Sequence, residues 1–187
     1  MAERPRQLTG LRRVTPQDTQ ILAALFARLP ERDRSFLEGR LEPEVIARWD
    51  FDDGGSRRLV EEDGEAIAFL AVTPHQGWSS HVGDLRLVVA AGHRRRGIGR
   101  LLAAQGLLDG LEMGLRKITV DVAADREHDI ELFRSFGFRP EALLVDQISD
   151  WKGNLHDLVV LSHMVSEVSD DLGVVGVDLA LGIGGDG

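Results

Sequence analysis

The sequence predicts an α/β fold with a mixed sheet, and three observations carry that prediction. Val82 to Val89, Gly97 to Leu115 and Lys117 to Val122 read as strand, helix and strand, a crossover that makes the two strands parallel neighbours. Arg58 to Glu62 and Glu65 to Val72 flank Asp63-Gly64, a dipeptide that tolerates the positive φ of a tight hairpin turn. Ile21, Leu22, Leu25, Phe26 and Leu29 recur at the spacing of a helix face.

Taken in chain order, Leu8 to Val14 is the first expected strand. Thr15-Pro16-Gln17-Asp18 then supplies an N-cap, a proline at the first helical position and an acid in the first turn, so a helix starts there and runs to Pro30. A second helical stretch includes Phe36, Leu37, Val45 and Ile46, and the pair forms one wall of a cleft. After the hairpin, Pro74 to Ser80 is a loop rich in Pro, Gly and Ser, and the crossover follows. Ile130, Leu132, Phe133 and Phe136 mark another helix, closed by Gly137, before strands at Leu143 to Ile148 and Leu158 to Val165.

The chain has 187 residues, 43% of them hydrophobic, which suits one domain with a full core, placed over residues 1–165. From Ser166 on there are five acids (Glu167, Asp170, Asp171, Asp178, Asp186), no Lys or Arg and many glycines. Residues 166–187 are therefore read as a flexible acidic tail, with docking of Leu172 to Ile183 on a partner or second subunit as the alternative. There are no cysteines, which excludes disulfides, thiolate-bound zinc and a catalytic thiol and suits a reducing cytoplasm. No apolar run approaches the ~20 residues of a membrane span, and the net charge of -9 argues against a general nucleic-acid binder.

Chemistry concentrates at Leu87 to Arg100, where a buried strand runs through Gly92-His93-Arg94-Arg95-Arg96-Gly97-Ile98-Gly99-Arg100 into a helix. Such a turn aims backbone N–H groups at one point, beside the positive end of the helix dipole, and so suits a pyrophosphate. A P-loop fails here, because Ile98 and Gly99 stand where Lys and Ser or Thr are needed. A dinucleotide fingerprint fails too, since Leu102 replaces its third glycine, and the literal spacing at Gly182, Gly184 and Gly187 has no helix after it.

Arg94, Gly97 and Gly99 match the R/Q-x-x-G-x-G/A signature of the GNAT acetyltransferase superfamily, which the chain resembles over most of Leu8 to Val165. The Leu132-Phe133-Arg134-Ser135-Phe136-Gly137-Phe138 segment falls in the order of that family's second motif. The resemblance implies a mixed central sheet with helices on both faces and a splayed parallel strand pair holding CoA. It further implies that the amides of Arg95 to Arg100 receive the CoA pyrophosphate, that pantetheine pairs with Leu87, Val88 and Val89, and that the Val89 amide holds the thioester carbonyl as an oxyanion donor. Acetyl-CoA is then the co-substrate, with no metal, and the acceptor is an amine, on a protein lysine or a small molecule. The oligomeric state expected is monomer or homodimer.

The chain departs from the family at two places. Phe133 occupies the position where the family often has a Tyr that protonates the leaving thiolate, and there is no Tyr in the chain. Arg126 and Asp129 stand where the family usually has Asn and Ala. Asp84 is the candidate general base, at a position similar to a Glu in some protein-lysine acetylating members; the alternative is a solvated carboxylate at a strand end. Leu143 to Leu161, with Asp146, Gly153 and His156-Asp157-Leu158, resembles a bacterial subgroup that includes relatives of protein-lysine acetyltransferases. His156, Asp157 and His163 are read as surface or core-edge groups rather than metal ligands, and Trp78, Trp151 and the Trp49-Asp50-Phe51 turn either line the acceptor cleft or anchor the core. The rival to an enzyme is a CoA-binding regulatory module without catalysis, motivated by Phe133 and the acidic tail.

Overall fold

The computed structural model describes residues 10–31, 33, 46–49 and 53–165. Its elements are β1 (Leu11–Arg13), α1 (Thr19–Ala27), β2 (Ser56–Glu62), β3 (Glu65–Pro74), β4 (Val82–Val89), α2 (Ile98–Glu112), β5 (Lys117–Ala123), α3 (Glu127–Arg134), β6 (Arg139–Ser149) and β7 (Leu155–Met164). The seven strands form one sheet in the order β1-β2-β3-β4-β5-β7-β6. Only β4 and β5 pair in parallel, as expected of strands joined by a crossover helix.

Helices cover both faces of this sheet. Along β3 the side chains alternate: Ala68, Leu70 and Val72 join the core under α2, while Phe69 and Ala71 join the core under α1, the period of two that a strand imposes. On the α1 side, Leu22, Leu25 and Phe26 are buried against Leu59 and Phe69. Phe26, Trp49 and Phe69 meet there with ring centroids 5.4 to 6.5 Å apart. On the other side α2 lies very close to the sheet: a Cβ on Gly106 would meet Leu85 Cδ1 at 2.3 Å, so only glycine lets helix and strand approach this far.

A buried charge network fixes α2 to the sheet. Asp109, 1% exposed, accepts from Arg58 Nη2 at 2.6 Å, from Ser56 Oγ at 2.6 Å and from Gln105 Nε2 at 2.8 Å. The arginine answers the carboxylate's charge and the neutral donors fill its lone pairs, which a buried carboxylate requires.

Several boundaries differ from the sequence reading. Pro16–Asp18 is a separate 3₁₀ turn and α1 begins at Thr19, because the Asp18 carboxylate folds back on Thr15 N (2.7 Å) and Oγ1 (2.9 Å) and closes its own turn. α2 runs from Ile98 to Glu112, inside the expected Gly97 to Leu115. The last hairpin is longer than read, since β6 starts at Arg139 and β7 at Leu155. The pairing jumps from Leu144–Leu158 to Ile148–His156, and Asp146 within that bulge has φ 53°; the bulge broke the alternation that marks a strand in sequence. Leu8, Phe36, Leu37, Val45, Asp50, Phe51 and the tail 166–187 lie outside the described residues.

Candidate active site

The site begins where strand pairing stops. β4 and β5 are paired at Val82–Lys117, Gly83–Ile118 and Asp84–Thr119, and no further. Beyond that point β4 stays with β3 as far as Ala68–Val89, while β5 stays with β7 as far as Ala123–Leu158. The two strands follow different partners, so a gap opens between Leu85–Val89 and Val120–Ala123.

The backbone of β4 shows which of its groups face that gap. Ala90 N–H donates to Ile67 O at 2.9 Å, so it points toward β3. N–H directions alternate along a strand, which places Val88 on the β3 side and turns the amides of Leu87 and Val89 toward the gap. The Val89 carbonyl, on the same side, accepts from Arg94 Nε at 3.1 Å.

At the open end, the chain passes through Arg95 with φ 59° and Gly97 with φ 81° before α2 begins at Ile98. A glycine takes the Gly97 conformation freely and a side chain does not, and the Arg95 conformation stores backbone strain beside the proposed ligand. The backbone N–H groups of Arg95 to Arg100 have no acceptor among the described residues. They gather at the positive end of a 15-residue helix, an arrangement suited to an anion.

The arginines of this loop have separate jobs. Arg96 turns back to β2 and meets Glu62 at 2.7 and 3.0 Å, which holds the Glu62 carboxyl below its usual range. Arg100 donates to Ser135 Oγ at 3.0 Å and lies 5.0 Å over the Phe136 ring. Arg94 pairs with Asp33, and Asp33 also accepts from Arg126 at the start of α3. Burial works against the charge on Asp33, but the two guanidiniums outweigh it and keep its carboxyl below the usual range. Arg94 and Arg96 thus brace the loop, and the amide cluster with Arg95 is left facing outward.

These parts line one cavity of about 1030 Å³, bounded by β4 from Asp84 to Val89, β5 from Thr119 to Ala123, the loop from His93 to Arg100, and α3. Phe133 lines it as well, 4% exposed, with its ring edge-on to Phe138 at 5.3 Å. Leu87, Val88, Val89, Arg94, Arg95, Gly97, Ile98, Gly99 and Arg100 all lie on this lining; Arg96 does not. Asp84 sits at the other end, its Oδ1 2.6 Å from the Thr119 hydroxyl and 3.0 Å from His75 Nε2.

Sequence reasoning missed His75, Thr119 and Asp33. Each is a single polar residue with no motif spacing, and only the fold brings it to the site. Other candidates lie elsewhere: His163 is buried against Phe138, His156 stands 3.3 Å from Asp150, and Trp78 and Trp151 are exposed and off the cavity lining.

The family description "Acetyltransferase (GNAT) family" matches residues 23–138. A curated relative, the mycothiol acetyltransferase of Paenarthrobacter aurescens (strain TC1), is 29% identical over 119 residues, 62% of this chain and 36% of its own length; the chain therefore spans about a third of that relative. Among solved structures, the ribosomal-protein-alanine N-acetyltransferase of Brucella melitensis aligns with a TM-score of 0.73 at 22% identity over 83% of this chain and 99% of its own. A GNAT-family acetyltransferase of Streptococcus pneumoniae gives 0.71 at 19% identity over 82% and 98%. A mutant spermidine N-acetyltransferase of Vibrio cholerae gives 0.70 at 19% identity over 84% and 94%. At these identities the structures speak for the fold, while the family match covers more than half of the sequence and includes the loop and the helix that follow the gap: the chain belongs to the GNAT acetyltransferase family.

Proposed function

We propose that the protein transfers an acetyl or related acyl group from acyl-CoA to a primary amine by direct attack on the thioester. The observation that carries this reading is a single cavity joining three features: acceptor-free amides at Arg95 to Arg100, the unpaired edge of β4, and a carboxylate at Asp84. The amides bind the pyrophosphate, the β4 edge pairs with pantetheine, and a gap-facing amide donates to the thioester oxygen. The resemblance assigns Val89 to that last role. The Leu87 amide faces the same way and lies three residues from Asp84, about 10 Å, against about 17 Å for Val89 at the rise of an extended strand, so a water-linked Asp84 favours Leu87.

In the reaction the amine nitrogen forms a bond to the thioester carbon, and the C–S bond breaks as the thiolate leaves. An alkylammonium of pKa near ~10.4 cannot attack until it loses a proton, and Asp84 takes that proton through water. Phe133 has no proton to give. A thiol of pKa about 8.5 to 10 leaves as the anion, so the reaction proceeds without a protein acid. The donor amide holds the oxyanion more strongly than the ground-state carbonyl, which is where its catalytic effect lies.

Of the four relatives named above, three carry a substrate in their names: mycothiol chemistry, a ribosomal-protein alanine and spermidine. This range supports an amine acceptor, protein or small molecule, without selecting one. We read residues 1–165 as the catalytic unit of a cytoplasmic monomer or homodimer. Calorimetry with acetyl-CoA tests the loop: micromolar binding is expected, and near loss in Gly97→Glu, whose carboxylate opposes the pyrophosphate at a position of positive φ. Unchanged affinity would overturn the assignment. Phe133 favours one alternative, a CoA-binding module without turnover; thiol release across a panel of amines and peptides separates the two.

A further inference from the structure

Asp84 has a neighbour that the reaction above does not use. His75 follows β3, with its backbone N–H bonded to Val82 O at 2.8 Å, and its Nε2 lies 3.0 Å from Asp84 Oδ1. The Thr119 hydroxyl donates to that same oxygen from β5 at 2.6 Å. One carboxylate oxygen is therefore held from both flanking strands, while Oδ2 has no partner among the described residues. Asp84 and Thr119 line the cavity and His75 does not. Oδ2 is the atom left to meet a water or an amine there, and the imidazole stands behind it.

Stability does not account for this pairing. The His75 and Asp84 side chains are 39% and 41% exposed, and an ion pair this accessible to water adds little to folding. We propose that His75 is a positioning residue for Asp84, which it holds through Oδ1 and whose strength as a base it couples to the charge on the imidazole. The proposal rests on the reading of Asp84 as the general base.

Neutral imidazole, protonated at Nε2, donates to Oδ1 and leaves Oδ2 to accept. Imidazolium makes the same contact with a full positive charge, which favours the carboxylate and weakens it as a proton acceptor. Imidazole is the side chain that normally changes charge between pH 5 and 8, so a comparison across that range tests the coupling. The surrounding ionisable groups are Arg86 on β4, Lys117 and Asp121 on β5, and His81 in the loop before β4. Arg86 and Asp121 line the same cavity, and Lys117 is bonded to Glu141 at 2.6 Å. Among the described residues the charged or titratable partner of His75 is Asp84, and the partners of Asp84 are His75 and Thr119.

The test compares kcat/KM of wild type and His75→Gln from pH 5 to pH 9, at saturating acetyl-CoA with a primary amine found by the thiol-release screen. Glutamine keeps a hydrogen-bond donor and cannot ionise, and the ionisation of the acceptor amine cancels in the ratio. The wild-type to variant ratio should be near one at pH 8 to 9 and fall about tenfold toward pH 5, as expected of a charge set beside a carboxylate. His75→Ala, which removes the donor, should lose about tenfold at pH 8, with an unfolding midpoint close to wild type. A ratio flat with pH, while Asp84→Asn is crippled, overturns the role of His75 alone. Wild-type kcat/KM in Asp84→Asn overturns the base reading and this proposal with it.

Discussion

The two edges of β4 differ. Toward β3 every residue from Gly83 to Val89 has a partner, and on that side of the molecule the charges are cross-linked as well: Arg58 with Asp109, Arg12 with Asp18 and Glu61. Toward β5 the ladder stops after three pairs, and the amides of Leu87, Val89 and the Arg95 to Arg100 turn are left without acceptors among the described residues. Buried backbone groups are normally paired, so a strand with one satisfied and one open edge is a scaffold on one side and, on the proposed function, a binding surface on the other. Substitutions on the two sides should therefore fail in different ways.

The largest effect is expected at the open edge. Asp84→Asn keeps the shape and the hydrogen bonds to Thr119 and His75 but cannot take a proton, so kcat/KM should fall by ~10² to 10⁴ while CoA affinity and the unfolding midpoint stay put. A comparable loss of stability instead of rate would mean that Asp84 belongs to the scaffold. On the closed side, Asp109→Asn leaves the Arg58 guanidinium, 15% exposed, without its counter-charge. Chemical denaturation should show a loss of about 3 kcal/mol, with kcat/KM of the folded fraction unchanged.

The smallest effect sharpens the contrast through pH. The hydrogen bond from Arg12 holds Asp18 at a pKa of about 2, well below the usual carboxylate value. A carboxylate whose folded pKa is depressed stabilises fully above its unfolded pKa, near ~3.9, and loses that contribution as pH falls to the folded value. Arg12→Met should thus be less stable than wild type at pH 5 by about 1 kcal/mol, a figure discounted for the solvent around Arg12. The difference should close between pH 4 and pH 2 in urea titrations. A gap that persists at pH 2 would assign the effect of Arg12 to packing.

The legible parts of the molecule were those with local signals. Asp63-Gly64 announced the β2–β3 hairpin, and Gly97 and Gly99 announced the turn into α2, because positive φ and helix N-termini restrict which residues can stand there. The hairpin of β6 and β7 extends beyond its sequence reading at both ends of β6 and at the start of β7, since the bulge at Asp146 and the surface position of β6 removed the alternation that marks a strand. The arginine run Arg94 to Arg96 is contiguous in the sequence. Its members divide between bracing contacts to Asp33 and Glu62 and an outward-facing Arg95, because those acids lie 61 and 34 residues away.

By itself the sequence determined the element types, the crossover that makes β4 and β5 parallel, and the glycine-marked turn into α2, since each depends on residues within a few positions of one another. Only the tertiary structure decided where the β4–β5 ladder ends, which amides face the gap, and that His75 and Thr119 hold one oxygen of Asp84. Those outcomes depend on which strand each partner follows and on contacts between residues 9 and 35 positions apart. Such contacts arise from sheet register, and single polar residues carry no pattern that would announce it.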